Sequence, residues 1–382
     1  MAGNKPSIYF VASELGEVHH GPAVYTRALW DMFRDSEDFE FHLVVLKSDI
    51  RDPKIHVPRS ESGKRAGFYR RMAQHVSNVV PKNQNTLLHV NSAHLISKSI
   101  AQSHRTAVQI NDTEVCQHRI TRQRIGQYGV RRMLALQWRR QRERSVAHAS
   151  LRVVCNSDFT ADMVRRQYGL PDQKVNRIYK ALPLAPFLDV QPINVGAGKL
   201  ELVFIGNNWQ RKGLKVLIEA IAELKKRAAD LQIRLRVYGT PPESTKNEYR
   251  QFAAECGVAD MVQLEGTLQR PDAPDVLANS SMLVLPSFEE ALGLVSIEAI
   301  ATGIPVVGSQ VGGIPEVINN SRLGTLVEAG NPKLLANAIE DRYYDGTETQ
   351  LVQYRKESSK RFSIDTLRRN VETLYQSIFL DA

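Results

Sequence analysis

Two acidic side chains, Glu290 and Glu298, stand eight residues apart in a segment that otherwise reads as strand, loop and helix. On an ideal helix that spacing turns the chain by about 80°, so both carboxylates can face one pocket. A carboxylate on a helix can accept hydrogen bonds from two neighbouring hydroxyls, as a ribose offers, and a carboxylate in the preceding loop could hold a second polyol. By itself, such a pair is far more typical of two solvated acids on a surface helix.

The elements around this pair decide where it lies. Met282 to Leu285 is an apolar run that Pro286 ends, which predicts a buried strand. A helical segment follows from about Leu294 to Ala301, and a second apolar run covers Ile304 to Val307. The unit strand–loop–helix–strand indicates a parallel α/β sheet, whose ligands bind at the carboxyl ends of the strands. The helix N-terminus there favours an anion such as a phosphate.

The full segment 286–316 contains Pro-Ser-x-x-Glu-x-Leu-Gly-Leu, Glu-Ala-x-Ala-x-Gly-x-Pro-Val-Val and Gly-Gly-x-Pro-Glu. It closely resembles the nucleotide-sugar site of retaining glycosyltransferases of family 4, and Glu290 and Glu298 match their Glu-x7-Glu motif. The resemblance implies an α/β protein of the GT-B type, with two Rossmann-like domains facing each other across a cleft. It also implies that Glu298 holds the ribose and Glu290 the donor sugar. The loop and helix start that would bind the donor phosphates comprise Ala291, Leu292, Gly293, Leu294 and Val295.

A second candidate loop follows the predicted strand Glu201 to Gly206 and contains Asn207, Arg211 and Lys212. Two cations at the carboxyl end of a strand suit a diphosphate. The family resemblance implies that Arg211 and Lys212 neutralise the leaving nucleoside diphosphate, although such a pair also occurs at solvated helix starts.

Two further strands are predicted at Ile233 to Gly239 and Val262 to Gly266. By resemblance, the backbone after the second strand contacts the base. This makes Thr267 and Leu268 the candidates there, with Tyr238 in a turn beside the pocket.

The first half carries a thinner resemblance. His20 and Gly21 precede a helix predicted from about Ala23, and they resemble a glycine-containing loop that lies over the donor phosphates. Asn111 stands where family members commonly carry a histidine near the transferred sugar. Its amide can hydrogen-bond a sugar hydroxyl but cannot move a proton at neutral pH.

The composition is that of an ordinary globular protein: 382 residues, 42% hydrophobic and 24% charged. Three scattered cysteines suit a reducing compartment, and neither a signal peptide nor an apolar stretch of membrane-spanning length is recognisable. We therefore expect a cytoplasmic protein. No Asp-x-Asp or metal-ligand spacing occurs in the sequence, so we expect no cofactor and no metal requirement.

Basic charge is concentrated in the first half: residues 1–190 carry 29 Lys and Arg against 17 Asp and Glu. Within residues 119–144, apolar side chains recur at helical spacing between arginines. The arginines are Arg119, Arg122, Arg124, Arg131, Arg132, Arg139, Arg140, Arg142 and Arg144. This segment could meet an anionic membrane surface or an acidic acceptor, or it could be a domain helix with a solvated arginine face. The sequence contains no motif that would read nucleic-acid bases, so we expect no nucleic-acid partner.

The predicted organisation is an acceptor-binding domain over 1–185, a linker over 186–199, a donor-binding domain over 200–361 and a helix over 362–382 that crosses back to the first domain. The resemblance implies transfer of a hexose from a UDP-sugar, with UDP-glucose the expected donor, to a hydroxyl of a glycan or lipid-linked acceptor, with retained configuration. Two alternatives stay open: a nucleotide-sugar epimerase of the same fold, and a non-catalytic nucleotide-sugar-binding subunit.

Overall fold

The computed structural model describes residues 5–15, 21–58, 67–111, 125–193, 196–228, 230–345 and 348–380. The chain divides into two compact units. The first comprises Met1–Leu182 and Ile364–Ala382, and the second comprises Pro183–Ser363.

The first unit is built on a seven-stranded parallel sheet in the order β5-β3-β1-β6-β7-β8-β9, beside a short parallel pair, β2 and β4. The strands are β1 (Ser7–Val11), β2 (Glu14–Leu15), β3 (Glu40–Val44), β4 (Lys47–Ser48), β5 (Ile55–His56), β6 (Thr86–Val90), β7 (Arg105–Ile110), β8 (Arg152–Cys155) and β9 (Val175–Arg177). The central strands are buried on both faces, as expected for a parallel sheet between helices.

Helices cover both faces of this sheet. They are α1 (Gly21–Phe33), α2 (Phe68–Val79), α3 (Lys98–Ser103), α4 (Ile125–Ala149), α5 (Asp158–Tyr168) and, from the C-terminal segment, α14 (Ile364–Leu380). Helix α14 belongs to the first unit because Leu367, Val371 and Tyr375 join the same core cluster as Ile8 and Phe10.

The second unit contains a six-stranded parallel sheet in the order β12-β11-β10-β13-β14-β15. Its strands are β10 (Lys199–Ile205), β11 (Gln232–Tyr238), β12 (Val262–Gly266), β13 (Met282–Leu285), β14 (Val306–Ser309) and β15 (Gly324–Val327). Its helices are α6 (Ala185–Asp189), α7 (Leu214–Arg227), α8 (Glu243–Glu255), α9 (Ala273–Ala278), α10 (Leu294–Thr302), α11 (Ile314–Val317), α12 (Pro332–Tyr344) and α13 (Glu348–Lys360). Because every strand runs the same way, all the carboxyl ends meet at one edge of the sheet.

Several boundaries differ from the sequence prediction. Strand β14 does not begin at Ile304, because Gly303 ends helix α10 in a left-handed conformation and the Ile304 amide still bonds the Ala299 carbonyl. Pro305 has no amide hydrogen to donate, so regular pairing begins at Val306. Helix α1 begins at Gly21 rather than near Ala23.

Two segments near the unit boundaries also differ. Helix α6 (Ala185–Asp189), which lies in the second unit, covers the first residues of the stretch 186–199 that was predicted as a linker, and helix α13 was not predicted. The last helix was predicted from residue 362, but α14 begins at Ile364, and Phe362 lies before it as a buried residue of the second unit. None of the described helices is both long enough and apolar enough to cross a bilayer.

Candidate functional site

The loops at the carboxyl edge of the second sheet are in backbone contact with one another. Gly213 has a φ of +74°, and a Cβ there would lie 2.0 Å from the Pro286 carbonyl oxygen. Gly312 has a φ of +57°, and its Cβ would lie 1.7 Å from the Glu290 carbonyl oxygen. Only glycine fits at these two positions, so the loops after β10, β13 and β14 close on one another.

Hydrogen bonds join the same loops. The Phe288 amide donates to the Arg211 carbonyl at 2.9 Å, and the Gly313 amide donates to the Glu290 carbonyl at 3.1 Å. The carbonyl oxygens of Arg211 and Glu290 are thereby each held by an amide from a neighbouring loop. Arg211 is half-buried in this arrangement.

Lys212 and Glu290 form an ion pair between the Lys212 Nζ and the Glu290 Oε2. Their side chains are only 14% and 12% exposed, so solvent screens the pair weakly. A Cβ on Gly206 would come within 3.2 Å of the Lys212 Cγ, so glycine at this position leaves room for the lysine stem. The structure thus brings together two residues that the sequence placed 78 positions apart.

Glu298 lies on helix α10 and is buried. Burial raises the pKa of this carboxyl group, and the Arg270 guanidinium, which bonds the Glu298 Oε1 through its Nη1, lowers it. Arg270 lies in a single helical turn, Arg270–Asp272, that follows β12. Its guanidinium carbon lies 5.0 Å from the centre of the Phe187 ring on helix α6.

The start of helix α10 completes this edge. Gly293 precedes the helix with a φ of +86°, Leu292 is buried, and Ala291, Leu294 and Val295 are partly exposed. The amides of Leu294 and Val295 lie in the first turn of the helix, where backbone N–H groups and the helix dipole favour an anion.

Two buried hydroxyls lie at this edge, Ser287 in the loop after β13 and Ser296 in the first turn of helix α10. Among the described residues, neither the Ser287 Oγ nor the Ser296 Oγ has a hydrogen-bond partner. Both hydroxyls are donors that a bound group with several acceptor oxygens could use.

The remaining predicted residues of this unit lie at the same edge. The Asn207 Oδ1 accepts hydrogen bonds from the Thr240 amide at 3.0 Å and the Thr240 hydroxyl at 3.1 Å. The side-chain oxygen of Asn207 therefore already ties two loops together. Tyr238 is largely buried, whereas Thr267 is exposed and Leu268 is partly exposed, immediately after β12.

In the first unit, Asn111 follows β7. Its Nδ2 donates to the Asn91 carbonyl at 2.6 Å, and its own carbonyl accepts from the Asn156 Nδ2 at 2.9 Å. The Asn111 Oδ1 is buried and has no partner among the described residues. Gly21 is the first residue of helix α1, and His20 lies outside the described residues.

Arg270 is the residue of this edge that the sequence prediction missed. The sequence did contain one signal for Arg270: it is a basic residue four positions after Gly266, at the end of a predicted parallel strand of the same sheet. All loops of that kind open onto one edge. Within the described part of the chain, no group of three or more His, Cys, Asp or Glu side chains could hold a metal ion.

Two family models match the chain. The model for Glycosyltransferase Family 4 matches residues 7–185, and the model for glycosyl transferases group 1 matches residues 199–345. The chain belongs to the family 4 glycosyltransferases. The family predicted from the motifs around Glu290 and Glu298 is therefore confirmed, whereas the roles of the individual residues stay predictions.

Relatives of this family 4 glycosyltransferase include two proteins named D-inositol 3-phosphate glycosyltransferase. The protein from Paenarthrobacter aurescens is 28% identical over 213 residues, which cover 54% of this chain and 52% of the relative. The protein from Corynebacterium efficiens is 32% identical over 180 residues, which cover 46% of this chain and 42% of the relative. The matches thus span about half the length of these relatives.

Solved structures match the family 4 glycosyltransferase over nearly its whole length. The sucrose-phosphate synthase from Thermosynechococcus elongatus has a TM-score of 0.77 at 18% identity, covering 99% of this chain and 100% of that one. The Anabaena protein HepE in complex with UDP has a TM-score of 0.72 at 17% identity, and the match covers 97% of this chain and 100% of HepE. These matches confirm the predicted GT-B fold.

Proposed function

We propose that this chain is a retaining glycosyltransferase that moves a hexose from a UDP-sugar to an acceptor hydroxyl. The observation that carries the proposal is the Lys212–Glu290 ion pair, which lies beside the first turn of helix α10 at the carboxyl edge of the second sheet. Lys212, Arg211 and the amides of that turn would bind the diphosphate. Glu290 would then exchange its bond with Lys212 for hydroxyls of the donor sugar.

In the proposed reaction, the acceptor oxygen forms a bond to the anomeric carbon while the bond from that carbon to the phosphate oxygen breaks. The electron pair of the broken bond leaves with UDP, and the acceptor proton passes to the departing phosphate oxygen. Attack on the face from which UDP leaves retains the configuration. Lys212 and Arg211 would stabilise the charge that develops on the leaving diphosphate, as preorganised cations do. We propose that no metal ion is needed.

The choice of donor and acceptor is supported by similar proteins. One solved structure of the fold neighbour HepE contains UDP-glucose, which favours a UDP-hexose here. The relatives named for inositol 3-phosphate point to an acceptor with a negative charge. The net positive charge of residues 1–190 would favour such an acceptor, whether a free polyol phosphate or a lipid-linked intermediate of glycan synthesis.

The first experiment is thermal stabilisation by UDP, GDP and ADP in the presence of EDTA. A ligand that binds the native state raises the melting temperature according to its concentration over its affinity. We expect selective stabilisation by UDP; stabilisation by GDP would move the donor to a GDP-sugar, and no shift with any nucleotide would contradict the proposal.

Turnover then separates the alternatives. The UDP-sugar that binds is incubated with acceptor candidates, and release of UDP is measured together with the anomeric configuration of the product. Isomerised sugar without UDP release would indicate an epimerase. Binding without turnover across polyol phosphates and lipid-linked glycans would indicate a non-catalytic subunit.

We also propose that helix α4 places the first unit against an anionic lipid surface. Val130, Leu134 and Trp138 recur every four residues on this helix, and each is more than half exposed. Arg131 and Arg144 are exposed on either side of that ridge, and the only acid of the helix, Glu143, is buried. The exposed apolar ridge would enter the headgroup region of the bilayer, and the cations beside it would attract anionic lipids.

Co-sedimentation tests this second proposal. We expect binding to vesicles that contain phosphatidylglycerol and little binding to phosphatidylcholine alone. Replacing Leu134 and Trp138 by Ala should abolish binding, whereas Leu334→Ala, which removes an exposed leucine of the second unit, should not. Equal binding of both variants would contradict the assignment to helix α4.

A further inference from the structure

Arg270 and Glu298 form an ion pair that no motif of the sequence indicates. Arg270 lies in the turn after β12, and Glu298 lies on helix α10, 28 positions further along the chain. The Glu298 side chain is 10% exposed, and the Arg270 side chain is 33% exposed. The pair is therefore held mostly inside the protein, with one side open to solvent.

Two contacts fix the orientation of the two side chains. The Arg270 Nη1 bonds the Glu298 Oε1, and the Phe187 ring lies under the guanidinium. Among the described residues, no donor bonds the Glu298 Oε2. The carboxylate thus has one oxygen held by the protein and one available to a ligand.

A buried carboxylate needs such a partner. Removal from water disfavours the charged form, and a neutral carboxyl group has lost part of its capacity to accept two hydrogen bonds from neighbouring hydroxyls. Arg270 counters this effect because a guanidinium holds a carboxylate in a fixed plane through charge-assisted hydrogen bonds.

We propose that Arg270 is a positioning residue, which orients the Glu298 carboxylate toward the vicinal hydroxyls of the donor's ribose. The inference rests on the proposed function, because it assumes that a nucleoside binds at this edge. Arg270 acts through Glu298 and not on the transferred sugar. Its replacement should therefore raise the KM for the donor more than it lowers kcat.

The test compares UDP with 2′-deoxy-UDP by calorimetric titration. The wild-type protein should bind UDP about tenfold more tightly, the effect of one hydrogen bond to a charged group. In Arg270→Gln the affinity for UDP should fall about tenfold, and the preference for the 2′-hydroxyl should largely disappear. Arg270→Lys should restore part of the preference, because it keeps the charge but loses the planar fork.

Two comparisons show whether Arg270 acts through Glu298. The double variant Arg270→Gln with Glu298→Gln should bind UDP no more weakly than Glu298→Gln alone, since either change already disrupts the same Arg270–Glu298 pair. Arg250→Gln is the matched control, because Arg250 also bonds a carboxylate, that of Glu243 at 2.7 Å, but at an exposed position. It should leave both affinities unchanged.

The outcomes separate this inference from the proposed function. If Arg270→Gln retains the wild-type ratio of UDP to 2′-deoxy-UDP affinity, or if its effect adds fully to that of Glu298→Gln, the positioning role is refuted while nucleotide binding stands. If the wild-type protein binds neither nucleotide, the proposed function fails and the inference fails with it. Melting temperatures of all variants show whether a loss of binding reflects a loss of folded protein.

Discussion

The two sheets bury polar groups in different ways. At the carboxyl edge of the second sheet, beside the buried hydroxyls of Ser287 and Ser296, four charged side chains form two largely buried ion pairs, Lys212 with Glu290 and Arg270 with Glu298. On the central strands of the first sheet, the fully buried side chains of His89 and Gln109 are neutral. A buried charge needs an opposite charge, whereas a neutral polar group needs only hydrogen bonds.

The neutral character of the first sheet is clearest at His89. Burial lowers its pKa to about 3, and its Nδ1 lies 2.8 Å from the Tyr375 hydroxyl on the last helix. This difference teaches which polar groups are suited to a ligand. The paired charges of the second unit lie at an edge where a charged ligand can replace a partner, whereas His89 joins the first sheet to α14.

The largest effect should come from removing a charge at the edge of the second sheet. Lys212→Ala should lower kcat/KM for the UDP-sugar by roughly 100- to 1,000-fold, the usual cost of losing one preorganised donor to a developing charge. Steady-state kinetics of UDP release measure this. Lys215→Ala is the matched control, because Lys215 lies three residues away and makes an exposed ion pair with Glu248 at 2.7 Å. Equal losses in the two variants would mean that the edge has no special role.

A backbone change tests whether the same edge depends on close contact between its loops. Gly312→Ala should destabilise the protein by about 2–4 kcal/mol, since the new Cβ would overlap the Glu290 carbonyl oxygen and must displace it. Gly257→Ala is the control: its φ is also positive, +72°, but the space around it is open, so it should cost about 1 kcal/mol from strain alone. Urea denaturation of both variants measures the difference. Equal losses would show that the edge tolerates movement of the loop after β13.

The smallest effect concerns the neutral groups of the first unit. The folded-state pKa of His89 is depressed, so below about pH 6.5 the unfolded chain binds a proton that the native state excludes, and stability falls as the pH falls toward 3. The expected slope is about 1.4 kcal/mol for each pH unit well below 6.5. Burial also lowers the pKa values of His42 and His56, which contribute in the same direction.

Urea denaturation at pH 7.5, 5.5 and 4.5 measures this slope. Replacing His89 by Phe, which has a similar size but no titrating group, should make the slope less steep, although the variant also loses the Tyr375 contact. A slope that does not change would mean that other groups dominate the acid sensitivity of this unit.

Much of the fold was readable from local sequence. Strands β12 and β13 lie where the apolar runs and glycines predict them. Strand β14 was predicted two residues too early because Ile304 is apolar, whereas its amide still belongs to the end of helix α10. Apolar runs indicate burial but do not distinguish a strand from the helix cap before it.

The site was readable in part. Lys212, Glu290 and Glu298 were named from their types and surroundings, and the structure places all three at one edge of the second sheet. Arg270 was not named, because its position after a parallel strand is its one signal, and solvated basic residues occupy such turns as well.

The sequence by itself determined a parallel α/β chain of the family 4 glycosyltransferases and the two carboxylates of its candidate site. Only the tertiary structure decided which cation meets which carboxylate. Strand β10 pairs with β13, which brings the loop of Lys212 against the loop of Glu290, and the turn after β12 brings Arg270 to Glu298. The physical reason is that ion pairs depend on the order of strands in the sheet, whereas residue spacing reports only on neighbours along the chain.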